Sequence, residues 1–410
     1  MARAQKKAIM YGAGNIGRGF IGQLLSESGY EVVFMDINKE VIDTLNKNKC
    51  YPINIVSNEG EETVMVTNVR GVDSSNENNV IEEILTADVI CTAVGVNVLK
   101  FIAKPIANAL VKRIDNKCKP INIILCENLI DVNKVFKDLL LAQIPAMYHK
   151  KFNKYVGLVE ASIGRMVPVM SEEAKAGDPT NINVEAYKQL PVDKDGFVGE
   201  MPKINNMTPF SPFKYYIHRK LFMHNMGHAL TAYLGNLKGY NYIYEAISDT
   251  AIKYCVYQAE MEAAMAINFE HSNSNLKELY YSASNLIYRF NNAALLDTIE
   301  RVGKDPIRKL KAGDRLTGAA LLANKHGIKP VYIALGIAAA FKFCPEGDKY
   351  AEEIKAAVSA NGIEAAVDAY CELTPKNSEL KQLILTMYDK LSTETDIEKL
   401  IYFCDELKQK

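Results

Sequence analysis

The sequence has no excess of charge of either sign: 48 Lys and Arg face 49 Asp and Glu over 410 residues. That balance excludes a global attraction to nucleic acid or to an anionic membrane, so an anionic ligand has to be met by a local cluster. Metal-type cysteine spacing is lacking too. The eight cysteines, at 50, 91, 118, 126, 255, 344, 371 and 404, form no CxxC pair, and several lie in apolar runs. Free thiols in a reducing compartment fit that usage, and no metal site is expected from it. Long apolar runs are missing as well. The start MARAQKKAIMYGAG has only four apolar residues before its first glycine, too few for a signal-peptide core. PVYIALGIAAAF falls short of the ~20 residues that span a bilayer. Together with the lack of any repeat or low-complexity tract, these absences lead to the expectation of a soluble, cytoplasmic protein without nucleic-acid or membrane partners.

What is present is an ordinary globular composition, 48% hydrophobic and 24% charged, long enough for two domains. KAIMY at residues 7–11 reads as a short buried strand, followed at once by GAGNIGRGF. IGQLLSESG then carries helical periodicity, and YEVVFMDIN reads as a second strand ending at Asp36. Gly12, Gly14 and Gly17 fit the dinucleotide fingerprint GxGxxG, with Ala13, Asn15 and Ile16 between them. The first glycine permits the tight turn, the second leaves room for a pyrophosphate, and the third lets helix pack on strand. Asp36 sits where an acid accepts hydrogen bonds from the adenosine ribose, and its charge disfavours a 2′-phosphate. NAD is therefore expected over NADP.

ADVICTAVG (87–95) and INIILCEN (121–128) continue the strand and helix alternation of a parallel sheet covered on both faces. Residues 51–70 read as a hairpin inserted into that domain, with turn chemistry at SNEGEE. Between residues 171 and 211 the chain becomes rich in Pro, Gly, Asn and charge, with one strand candidate in NINVEAY. Beyond residue 205 it is helical nearly throughout. The expected fold class is α/β: an N-terminal Rossmann-type doubly wound sheet over residues 1–205 with an inserted hairpin, then a mainly α-helical domain over 206–410.

One stretch of the second domain, KLFMHNMGHALTAYLG (220–235), sets a lysine, two histidines and an asparagine among apolar residues. Ser211 before Pro212 reads as its N-cap and Gly235 as its stop. At 100° per residue Lys220, His224 and His228 share a stripe flanked by Asn225. Such a stripe faces solvent or lines a cleft, because an unpaired buried ammonium is very unfavourable.

GAGNIGRGFIG, RKLFMHNMGHALTAYLG and ERVGKDPIRKLKAGDRL, in that order, resemble the polyol-specific long-chain dehydrogenase/reductase family from residue 7 to about 345. The resemblance implies an NAD-dependent, metal-independent oxidoreductase. Lys220 matches the family's general base, Asn225 the amide that stabilises the oxyanion, and His228 the histidine that orients substrate and lysine; Asn128 in CEN matches a second asparagine. His224 is outside the motif. Gly164, before Arg165, stands where the family has an acid. Similarity to the phosphate-specific branch points to a sugar phosphate, with D-mannitol 1-phosphate and D-fructose 6-phosphate as the pair. Of the six basic residues between 301 and 315, Arg308 and Arg315 are the expected phosphate ligands, since a guanidinium pairs bidentately with phosphate oxygens. Alternatives are a mannitol 2-dehydrogenase or hexuronate reductase on an unphosphorylated sugar, and a non-catalytic NAD-binding sensor.

Overall fold

A computed structural model describes residues 5–170, 173, 175 and 177–409; the basic start, and four positions of the Pro-, Gly- and charge-rich stretch, lie outside the described residues. The chain divides into two compact units, up to Lys214 and from Tyr215.

The first unit is built on a six-stranded sheet of β1 (Lys7–Tyr11), β2 (Glu31–Asp36), β5 (Val69–Asp73), β6 (Val89–Thr92), β7 (Ile121–Leu125) and β8 (Val156–Glu160). All its pairings are parallel, in the order β5-β2-β1-β6-β7-β8. Both faces are covered. Ala8 and Met10 of β1 enter one apolar core while Ile9 and Tyr11 enter the other, which is why KAIMY is an unbroken apolar run with no alternation. The chain runs outward from β1 to β2 and β5, then returns to β6 on the other side. The strand order thus reverses between β1 and β6, whose paired ends are Tyr11 and Thr92. In open α/β sheets ligands bind outside the carboxyl ends of the strands at such a reversal.

The hairpin consists of antiparallel β3 (Cys50–Ser57) and β4 (Gly60–Thr67), and β3 also pairs in parallel with β9 (Ile182–Val184), inside NINVEAY. The stretch 51–70 is not hairpin to its end. Asn68, at φ 59°, turns the corner, and Val69 opens the edge strand of the main sheet. A further parallel pair, β10 (Leu190–Asp193) with β11 (Met207–Phe210), keeps the chain in the first unit beyond residue 205.

The second unit is helical. At its centre lies Val331–Ala340, VYIALGIAAA, with every residue buried, packed beside Thr250–Glu270 and Met226–Leu237. Glu262, fully buried, accepts from the Tyr332 and Ile333 amides at the start of the central helix, at 3.1 to 3.2 Å. The last helix, Ile397–Gln409, closes this corner: Lys408 Nζ lies 3.1 Å from Glu262, and the Tyr332 hydroxyl donates to Asp405 at 2.6 Å. None of the described helices is long and apolar enough to cross a membrane.

Two expected helix boundaries are corrected. The helix does not begin at Pro212 but at Lys214, and the Ser211 hydroxyl donates to the Asp195 carboxylate. Gly235 is no stop either. It lies inside Met226–Leu237, where an added Cβ would come within 2.6 Å of Ile299 and 2.7 Å of Ala246, so its missing side chain is used for close helix packing. The stop is Gly239 at φ +77°. Its amide donates to Asn236 O, and Tyr240 N reaches back to Gly235 O at 3.0 Å, as in a Schellman ending.

Candidate active-site residues in the two units

At the carboxyl end of β1 the chain turns at Gly12, whose φ is +101° and whose added Cβ would lie 2.5 Å from the Ala93 carbonyl. Gly17 is equally constrained, because a Cβ there would sit 1.9 Å from the Gly12 carbonyl. Gly14 differs: nothing lies within 4 Å of the added atom, so this glycine faces free space. Tight turn, open approach and close packing thus fall on the three fingerprint glycines in that order. Asn15 and Ile16 start the helix, which places the amides of Gly14, Asn15 and Ile16 in a first turn without intrahelical acceptors, a setting suited to phosphate oxygens. Asn15 also ties the turn to Pro168 O at 3.3 Å. Asp36, at the end of β2, accepts from Ala13 N at 2.7 Å with one oxygen and from Asn38 N at 3.0 Å with the other. Each oxygen retains a lone pair for a ribose hydroxyl.

Two supports here escape a reading of the motif alone. Arg18, buried, donates through Nε to Ala13 O at 2.6 Å and braces the glycine turn from behind; burial lowers its pKa. Glu127, buried after β7, accepts from the Val94 and Gly95 amides at 2.9 and 2.8 Å and fixes the loop after β6. Its neighbour Asn128 is exposed at the same carboxyl edge of the sheet. Arg165 turns inward and donates through Nε and Nη1 to Glu185 O, Gly19 O and Gln23, bracing the scaffold.

In the second unit, Arg219–Asn225 is a π-helical turn between two α-helical stretches. Its hydrogen bonds span five residues, so Asn225 lies one wide turn on from Lys220, a departure from the 100° wheel found mostly at functional sites. Phe222, Met223, Met226, Ala229 and Leu230 are buried, while Lys220, His224, Asn225 and His228 keep a little surface. The Lys220 ammonium is enclosed by protein. Burial, and then the Arg315 guanidinium, lower its pKa to about 8. His224 is pushed well down by burial, then by Arg289 and its other cationic neighbours. The His228 ring stacks on Phe290 at 4.8 Å and 8°, and its Nε2 is 3.1 Å from Asp297 Oδ2.

Arg315, mostly buried, pairs with Asp314 at 2.8 Å. Arg308 stands farther out, half-exposed, between Asp305 at 3.3 Å and Asp314 at 3.7 Å. Lys309 between them is buried and bonded to the Lys304 carbonyl; burial, then Arg315 and Arg308, lower its pKa to about 7. Arg315 is thus the cation common to Lys220 and to the 305–315 cluster. Next to the π turn, Glu260 is fully buried, and neither oxygen has a hydrogen-bond partner among the described residues. It fits only because residue 227 is glycine: an added Cβ there would be 2.1 Å from Glu260 Oε1. Burial raises its pKa well above the usual carboxyl range, so it is held as a neutral acid. No signal in the sequence marks Glu260 or Asp297. Among the described residues no three His, Cys, Asp or Glu side chains converge as a metal site would require.

Residues 6–206 match the model of the mannitol dehydrogenase Rossmann domain, and residues 213–399 that of the mannitol dehydrogenase C-terminal domain. The mannitol-1-phosphate 5-dehydrogenase of Buchnera aphidicola subsp. Acyrthosiphon pisum is 36% identical over 92% of this chain and 97% of its own length. Those of Thermoanaerobacter pseudethanolicus (37%, covering 94% and 98%) and Shouchella clausii (39%, covering 90% and 96%) are similarly related. Among solved structures, Pseudomonas fluorescens mannitol 2-dehydrogenase in complex with NAD and D-mannitol superposes with a TM-score of 0.74 at 17% identity, covering 98% of this chain and 95% of that one. A D-sorbitol dehydrogenase gives 0.77 at 17% identity, covering 95% and 93%; both likenesses bear on the fold.

Proposed function

The chain belongs to the mannitol dehydrogenase family, and on that premise we propose that it is an NAD-dependent dehydrogenase interconverting D-mannitol 1-phosphate and D-fructose 6-phosphate. The residues present suit NAD: an added Cβ would fill the space that Gly14 leaves open, and Asp36 offers a carboxylate where a 2′-phosphate would be repelled. When bound, NAD supplies the acceptor for the hydride that leaves the alcohol carbon.

The chain's own part is to move one proton and to hold charge. Lys220, as the free amine, takes the proton of the substrate hydroxyl at Nζ while the C–H pair leaves as hydride, and the carbon becomes a ketone. The observation that carries this reading is the Lys220 environment. An ordinary lysine near pKa 10.4 is almost wholly protonated at neutral pH. At about 8, Lys220 is free amine in a substantial fraction and still basic enough to accept the proton. Asn225, one π turn away, donates its amide N–H to the oxygen as negative charge develops, and His228 orients both. Arg315, with Arg308 outside it, receives the phosphate.

A free polyol is the second reading, because Asp305 and Asp314 already engage both guanidinium groups. NADH oxidation with fructose 6-phosphate and fructose in parallel decides between them. Turnover of the phosphate ester alone, lost in Lys220→Ala while NADH still binds, is the expected result. Turnover of fructose alone removes the phosphate reading, and the absence of any turnover removes the enzyme.

A further inference from the structure

Within the basic stretch, Arg301 is turned toward a different carboxylate from Arg308 and Arg315. Arg301 donates from Nε and Nη2 to the same oxygen of Asp297, at 2.6 and 2.5 Å. The other oxygen, Oδ2, faces His228 Nε2 at 3.1 Å, and the two side chains are only 13% and 10% exposed. His228 Nε2 is buried and makes no hydrogen bond to a described residue, so the contact is a close approach short of an aligned hydrogen bond. Active-site contacts in ligand-free proteins are often loose in this way and tighten in the substrate complex. Asp297 is itself fixed twice over. Its main-chain carbonyl accepts from Ile243 N at 2.9 Å, and Thr298 beside it caps the helix Ile299–Gly303. Burial raises the Asp297 pKa, but the His228 contact and Arg301 outweigh it and the net shift is downward, so the group is a carboxylate.

A carboxylate oxygen only accepts, so a hydrogen bond closing this 3.1 Å approach requires the hydrogen on Nε2. Phe290, stacked on the ring, holds its plane and leaves little freedom to flip. We propose that Asp297 is a positioning residue for the reaction: held by Arg301 through one oxygen, it keeps the proton of His228 on Nε2 with the other, so that Nδ1 is the acceptor offered to the substrate and Lys220. The inference rests on the catalytic reading of Lys220 and His228. An outer-shell carboxylate of this kind fixes tautomer and ring orientation without touching substrate.

The test is Asp297→Asn, which keeps the shape but presents an amide that donates as readily as it accepts. Expected is a fall in kcat of about 10- to 100-fold, with NADH affinity and melting temperature near those of the parent. Asp297→Glu retains the carboxylate and should restore much of the loss. Nitrogen-15 spectra of histidine-labelled protein, with His228 assigned by His228→Gln, should show Nε2–H in the parent and a shift toward Nδ1–H in Asp297→Asn. A parent spectrum with Nδ1–H, or kcat of Asp297→Asn within twofold of the parent, overturns the proposal. If the parent turns over neither sugar, the catalytic reading has failed instead; if it turns over and only Lys220→Ala is dead, the failure belongs to Asp297.

Discussion

At the turn after β1 the polar groups are main-chain amides and one carboxylate, set by glycines whose missing side chains make the shape. Around the π turn they are side chains, Lys220, His224, His228, Glu260 and Asp297, each enclosed enough for its proton affinity or tautomer to depend on its neighbours. The first arrangement recognises a constant partner by form. On the proposed mechanism the second changes protonation during each turnover, and titratable groups removed from water respond strongly to one another.

Substitutions should expose this contrast. The largest effect is expected for Lys220→Met, which should lower kcat by about 10²- to 10⁴-fold with NADH binding intact by fluorescence titration; a loss below tenfold would move the base elsewhere. Gly17→Ala comes next. Its Cβ would meet the Gly12 carbonyl at 1.9 Å, so thermal unfolding should show a loss of about 3 kcal/mol or more, and NADH binding should go with it. Gly14→Ala, with open space around it, should leave the melting temperature unchanged and weaken NADH about tenfold, or 1.4 kcal/mol. If both glycine variants behave alike, shape is not what separates them.

A smaller effect concerns pH. On the proposed mechanism alcohol oxidation needs the amine form of Lys220, so kcat should rise with pH and level off above about 8. Arg315→Gln removes a cation that disfavours the ammonium, so the Lys220 pKa rises and the limb moves to higher pH; an unmoved limb would separate the two residues. The smallest effect is on stability. Glu260 has a folded-state pKa above its unfolded one, so its contribution is fully present below the unfolded value near 4.5 and is lost as pH rises toward the folded value. Glu260→Gln should flatten that decline, about 1.4 kcal/mol per pH unit, in urea titrations between pH 5 and 7. A parent slope equal to the variant's would mean that Glu260 stays ionised in the folded state.

The glycine turn was readable because its requirements are local: three glycines and an acid at fixed spacing define it whatever packs outside. The hairpin was readable for the same reason, up to Thr67. Neighbours decided the rest. Gly235 and Gly239 look alike as stop signals, and only Ile299 and Ala246 assign one to packing and the other to the helix end. Glu260 reads as one more polar position in an amphipathic helix until Gly227 is seen to make room for it. Asp297 meets His228 through the fold, and the change from α to π register at Arg219 has no residue signature at all.

The Lys408 contact ties the helix Ile397–Gln409 into the buried centre of the helical unit. Without residues 397–409, Glu262 would be an enclosed acid served by two amides and lacking the Lys408 ammonium. A chain stalled or clipped before Ile397 retains Lys220, Asn225 and His228 in full and still lacks the ammonium that neutralises its core. A cut before Ile397 therefore acts on the packing of the helical unit and not on the site residues themselves.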